Sequence, residues 1–146
     1  RWSGDYDPTG LVKGWAAQGA TDHLSILPGV SFCLNAGGDL AVGVGPGVAD
    51  GASPWRVGTE DPRARGRVAR VVTLSRGAVA TSGAATRGGH VVDPRTDRPV
   101  VREGSTTVLG PDLLWADVWA TAAFVDPQLA GRLLAARAPD YRLIEL

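Results

Sequence analysis

The chain has 146 residues, enough for one domain with a sizeable core, and its 44% hydrophobic and 21% charged content is that of an ordinary globular protein. Lys plus Arg and Asp plus Glu both number 15, so net charge supplies no general attraction to nucleic acid or to an anionic membrane. One cysteine, Cys33, excludes an internal disulfide, and two histidines with one cysteine cannot build a typical zinc site.

In chain order, Gly10–Leu27 reads as a helix: Leu11, Trp15 and Ala16 recur at helical spacing, Pro8 and Thr9 precede it, and Pro28–Gly29 ends it. Ser31–Leu34 and Asp39–Val44 are short apolar runs around Gly37–Gly38, a hairpin pattern that leaves Cys33 as a buried strand residue. Gly45–Ser53 is a loop; its GVGPG run lacks a following helix and is interrupted by Pro46, which excludes a dinucleotide fingerprint. Trp55–Thr59 alternates like a strand. Arg63, Arg65, Arg67 and Arg70 read as a solvated basic turn, with a phosphate- or partner-binding patch as the alternative. Val68–Leu74 and Ala78–Thr81 flank Ser75–Gly77, a second hairpin signal.

His90–Val92 is a short strand running into an Asp93–Pro94 turn, and Thr106–Leu109 is a strand leading to Gly110–Pro111. Asp112 caps an alanine-rich helix containing Trp115–Phe124. A further helix covers Pro127–Ala138, and Tyr141–Ile144 is a last strand. No stretch is long and apolar enough to span a membrane, and no signal peptide is visible. Paired strands with helices at either end predict an α+β fold, an antiparallel β-sheet core with flanking helices, organised as a single domain over residues 1–146.

The helix at Trp115–Phe124 carries the sharpest chemical signal. Asp117 and Thr121 stand four residues apart, on one face of an otherwise apolar helix. A buried carboxylate is costly unless paired or bound to a cation, and a carboxylate with a hydroxyl suits a hard ion such as Mg²⁺. The alternative from spacing alone is a solvated Asp117 with Thr121 bonding back to a backbone carbonyl.

Four segments extend this signal: DPTGLVKGWA (Asp7–Ala16), LNAGGDLAV (Leu34–Val42), ATSG (Ala80–Gly83) and HVVDPRT (His90–Thr96). In this order, ahead of the Asp/Thr helix, they resemble the C-terminal portion of the FAD:protein FMN transferase family, the ApbE-like flavin transferases. The resemblance covers Asp7–Phe124. It implies Mg²⁺-dependent transfer of FMN from FAD to a Ser or Thr hydroxyl of a target flavoprotein, with release of AMP. A non-catalytic FAD-binding module and a Mg²⁺-dependent FAD pyrophosphatase are the alternatives.

By this resemblance Asp7 and Lys13 contact FAD, Val92 does so through its backbone, and Thr81 and Ser82 lie beside the phosphates. Gly10, Asp117, Ala120 and Thr121 hold the metal, and His90 is the base or orienter for the attacking hydroxyl. Ser82 has no G-x-S-x-G elbow around it, so it does not read as a hydrolase nucleophile. Asn35–Asp39 reads as a structural turn with a supporting role beside the flavin. Asp97 stands where the family has glycine, and Asp93 is free to pair with Arg95 or Arg98. The absence of methionine makes Arg1 a non-initiating residue, so an N-terminal portion is expected to be missing and to form part of the flavin pocket. The family suggests an extracytoplasmic, membrane-associated setting, with a cytoplasmic one as the alternative.

Overall fold

The computed structural model describes residues 8–49, 54–83 and 91–146. Helix α1 (Thr9–Ser25) is followed by Gly29 at φ 72, which turns the chain into strand β1 (Ser31–Ala36). Gly37 and Gly38, at φ 66 and 103, adopt the left-handed pair that a two-residue hairpin turn requires, and strand β2 (Asp39–Val44) returns beside β1. Strands β3 (Trp55–Asp61) and β4 (Ala64–Leu74) form a two-stranded ribbon of their own. Strand β5 (Gly77–Gly83) follows, then the two-residue strands β6 (Val92–Asp93) and β7 (Arg98–Pro99), and strand β8 (Ser105–Gly110).

Asp112 caps helix α2 (Leu113–Val125) by accepting the Trp115 N–H at 2.9 Å, the role its position predicts. Asp126 caps helix α3 (Pro127–Arg137) through the Leu129 N–H at 3.0 Å, with Pro127 in the first turn. Strand β9 (Arg142–Glu145) closes the chain.

The main sheet has the order β1-β2-β5-β8-β9, with every neighbouring pair antiparallel. This is the expected α+β architecture. Its core is made of small residues: Ala17 of α1, Ala41, Ala78, Ala80 and Val108 of the strands, and Leu113, Ala116 and Ala120 of α2. Alanine on both layers lets α2 lie close to β5 and β8, so short polar side chains can reach across the contact. Gly14 brings α1 equally close to α2, because a Cβ there would sit 3.1 Å from Leu114 Cα and 3.4 Å from Asp117 Cβ.

Several expectations are corrected. Ser75–Gly77 does not join a hairpin: β4 pairs with β3, and β5 enters the main sheet between β2 and β8. Gly77, at φ 114 and pressed against the Gly110 carbonyl, turns the chain between two sheets rather than back on itself. Of the arginine cluster only Arg63 lies in a turn, while Arg65, Arg67 and Arg70 lie on β4; all four are solvent-exposed, as expected of a solvated patch. Cys33 is only partly buried, though burial still pushes its thiol pKa up, consistent with an unreactive residue.

The strand expected at His90–Val92 is β6, Val92–Asp93; His90 lies outside the described residues. Asp97 takes φ 53, the left-handed conformation that glycine would adopt. Asp93 pairs with Arg95 and also accepts its backbone N–H at 2.9 Å, so it shapes the turn.

Candidate functional site

Three charged groups meet where α1, α2 and the start of β2 converge. Lys13 projects from α1 and forms an ion pair with Asp39, the first residue of β2. Its ammonium also lies 3.3 Å from Asp117 Oδ2 on α2. Asp39 is 2% exposed and Asp117 7%, so both carboxylates are buried, and a cation within reach is what makes their burial tolerable. The reading of Asp117 as a solvated carboxylate is therefore overturned.

Lys13 is the only lysine of the chain; every other basic side chain among the Lys plus Arg residues is arginine. A compact ammonium with three donors fits between two carboxylates from different elements, where a flat guanidinium fork would demand more room. Gly14, next in sequence, removes the side chain that would hold α1 away from Asp117.

The second carboxylate oxygen of Asp39 has its own task. Its Oδ1 accepts the backbone N–H of Thr81 at 2.9 Å. In the β2–β5 register Leu40 faces Val79, so β2 runs out into its hairpin turn before it can pair with Thr81. The Asp39 carboxylate replaces the missing strand partner there and ties α1, β2 and β5 together.

One helical turn beyond Asp117, the Thr121 hydroxyl lies 3.1 Å from Ser82 Oγ. It does not simply bond back into its own helix. Thr106 Oγ1 donates to the Ala120 carbonyl at 2.8 Å, so the same strip of α2 is stitched to β8 as well as to β5. Ser82 and Thr81, adjacent in the sequence, separate here. Strand alternation sends Ser82 towards α2 and Thr81 to the opposite face, where its hydroxyl meets Thr107 Oγ1 at 2.8 Å.

The structure thus brings together Lys13, Asp117, Ser82 and Thr121 of the residues the sequence proposes. Ala120 is buried on the same helix, with its carbonyl already accepting the Thr106 hydroxyl. Gly10 is exposed in the first turn of α1. Val92 is 44% exposed and pairs with Pro99 in the separate β6–β7 ribbon. Asp7 and His90 lie outside the described residues. Sequence reasoning gave Asp39 only a supporting place in the Asn35–Asp39 turn and did not single out Gly14. The signal for Asp39 was its place directly after a two-glycine turn, where a carboxylate reaches past the end of a hairpin.

Mg²⁺ accepts hard oxygen donors and fills the rest of its shell with water and phosphate oxygens. Asp117, buried, and Thr121, part-buried one turn on, are hard oxygen donors on one face of α2, so the residues present fit such an ion.

An antiparallel sheet covered by two close-packed helices, with two buried carboxylates meeting a part-exposed lysine between them, defines an α+β domain with a charged cluster at the helix–sheet junction. A family model described as the ApbE family matches residues 5–144, and the chain belongs to that family. A Rhodobacter capsulatus protein named FAD:protein FMN transferase is 39% identical over 101 residues, which are 63% of this chain and 18% of that protein. The crystal structure of the ApbE protein from Thermotoga maritima has a TM-score of 0.78 at 30% identity, covering 97% of this chain and 48% of that one. The flavin transferase ApbE from Vibrio cholerae has a TM-score of 0.74 at 24% identity over 95% of this chain and 46% of that one, a likeness of fold. The chain spans half or less of the length of each of these relatives.

Proposed function

We propose that these residues form the metal- and phosphate-handling portion of an FAD:protein FMN transferase. FAD is the donor. The hydroxyl oxygen of a Ser or Thr on an acceptor flavoprotein attacks the FMN phosphorus, the bond from that phosphorus to the AMP oxygen breaks, and the hydroxyl proton passes to His90. The products are a phosphoester-linked flavoprotein and AMP. The observation that carries the reading is the buried Lys13–Asp39–Asp117 cluster, with Thr121 and Ser82 one turn further along α2. Family membership and the names borne by the relatives support it.

In this reading Asp117 and Thr121, with the backbone at Gly10 and Ala120, would hold Mg²⁺, which would supply positive charge beside the pyrophosphate. Lys13 adds a second positive charge from the protein itself. Phosphoryl-type transfer depends mainly on positioning and charge neutralisation, which suits a site with few acid–base side chains. Ser82 orients Thr121 through their shared hydrogen bond. Asp7 and the Val92 backbone are assigned to FAD contacts, and Thr81 acts indirectly, by anchoring Asp39 through its backbone N–H.

The test is product analysis after the protein is incubated with FAD, Mg²⁺ and a flavin-carrying acceptor. A gain of FMN mass on the acceptor with one AMP per flavin is the expected result. AMP with free FMN, and no modified acceptor, makes the protein a pyrophosphatase. Neither product, with FAD still bound, makes it a binding module.

A further inference from the structure

We infer that Asp39 is a positioning residue of this site: it fixes the ammonium of the chain's only lysine beside Asp117, at the point where the proposed reaction meets phosphate. The inference deepens the flavin-transfer reading and rests on it for the identity of the phosphate. The geometry is independent of that reading.

Lys13 has a flexible four-carbon stem on a helix surface, and its side chain is 34% exposed. Left to itself such a side chain samples many rotamers, and holding it in one costs entropy. Asp39 removes that freedom. Its carboxylate is 3% exposed and is anchored at Oδ1 by the Thr81 N–H, so Oδ2 is presented to Lys13 from a fixed point. The contact to Asp117, on a different element, is longer, at 3.3 Å. Asp39 thus holds the ammonium at the shorter contact and keeps it from collapsing fully onto Asp117. Gly14 and the alanine-rich α2 hold the three backbones at the separation this arrangement needs.

Asp39→Asn separates the two tasks of this residue. The amide oxygen still accepts the Thr81 N–H, so the β5 end stays satisfied. The amide nitrogen is a donor facing an ammonium, so Lys13 is released. Two readouts follow, both in the full protein. The first is acylation of Lys13 by a water-soluble amine reagent at constant pH, followed by peptide mass spectrometry; the single lysine makes the reading specific. The second is FAD affinity, from flavin fluorescence, in wild type, Asp39→Asn, Lys13→Gln and the double variant.

The inference predicts that Asp39→Asn, still cooperatively folded, labels Lys13 several-fold faster and weakens FAD by about tenfold or more, the usual scale for a charge-assisted hydrogen bond. It also predicts that the Asp39→Asn, Lys13→Gln double variant binds FAD no more weakly than Lys13→Gln alone, because the Thr81 bond is kept and Asp39 otherwise acts through Lys13. Unchanged labelling, or losses that add in the double variant, overturn it. If Asp39→Asn does not fold, Asp39→Glu gives the same decision. Its longer arm cannot keep both the Thr81 bond and the Lys13 pose, so wild-type labelling in that variant overturns the inference. A wild type that binds no FAD defeats the flavin reading alone, and the labelling arm still decides the role of Asp39.

Discussion

Two carboxylate–cation pairs in this molecule have the same chemistry and opposite settings. Lys13–Asp39 lies where two helices meet the main sheet, with the carboxylate almost wholly buried. Arg67–Asp61 lies on the β3–β4 ribbon, at 3.9 Å, with the arginine side chain 75% exposed. The first pair has a second carboxylate, a backbone N–H and a glycine-cleared helix contact built around it. The second is open to water on a strand whose residues 65–71 are all exposed. Exposed pairs are screened and contribute on the order of 0–1 kcal/mol, whereas stripping one partner from a buried cluster leaves an uncompensated charge. Function is therefore to be sought where charge is buried, and not where it is most abundant in the sequence.

Asp117→Ala is the largest single break in that comparison. It removes the carboxylate proposed to hold the metal, which is also one of the two anions around Lys13, so metal-dependent transfer is expected to vanish. Stability is expected to fall by about 1–3 kcal/mol, measured by urea unfolding. An alanine tolerated without cost would mean that the carboxylate is solvated after all.

Gly14→Val comes next. A β-branched side chain meets the α2 backbone at Leu114, and the helices must part. Overpacking of this kind costs about 1–3 kcal/mol, and widening the Lys13–Asp117 gap should weaken FAD binding as well. Wild-type FAD affinity in this variant would separate the helix contact from the site.

A third, smaller test concerns Arg95, which bridges Asp93 in the β6–β7 turn and Asp126 at the α2–α3 corner, each at 3.0 Å. The Arg95 side chain holds the Asp93 carboxyl below its ordinary value. The Leu129 N–H, then Arg95, does the same for Asp126. Both folded-state pKa values are depressed, so the link is fully formed above the ordinary Asp value of about 3.9 and is lost as pH falls through the lower folded values. Arg95→Gln should raise both carboxyl titration midpoints, as read by NMR. An unmoved Asp126 midpoint would assign its shift to the helix cap alone.

Arg67→Ser, on the ribbon, is expected to change stability by no more than about 0.5 kcal/mol and FAD affinity not at all. A large loss in either would mean that charge on the ribbon matters to the fold or the site as much as charge in the buried cluster.

The contrast also explains what could be read from the sequence. Local signals carried the helices, the Gly37–Gly38 hairpin and the cap at Asp112, because each depends on neighbours a few residues away. The Asp117–Thr121 spacing was legible for the same reason. Asp39 was not, because its partners are Lys13 and Thr81, brought together by sheet pairing across 26 and 42 residues. The false hairpin at Ser75–Gly77 is the converse case. A short connection with a turn signal looks the same whether the chain folds back or crosses to another sheet, and only the pairing of β5 with β2 and β8 decides. Thr81 and Ser82 looked equivalent as hydroxyls, and the pleat of β5 puts them on opposite faces.

The most direct test of the central claim, that the buried cluster is the working centre of a flavin transferase, is a paired intact-mass measurement. Wild type and Asp117→Asn are incubated with FAD, Mg²⁺ and an acceptor flavoprotein, after matched melting temperatures show that both are folded. The near-isosteric amide keeps the packing on α2 and removes the charge. The account predicts an acceptor heavier by one FMN with wild type and an unmodified acceptor with Asp117→Asn. Equal modification by the two proteins would contradict it.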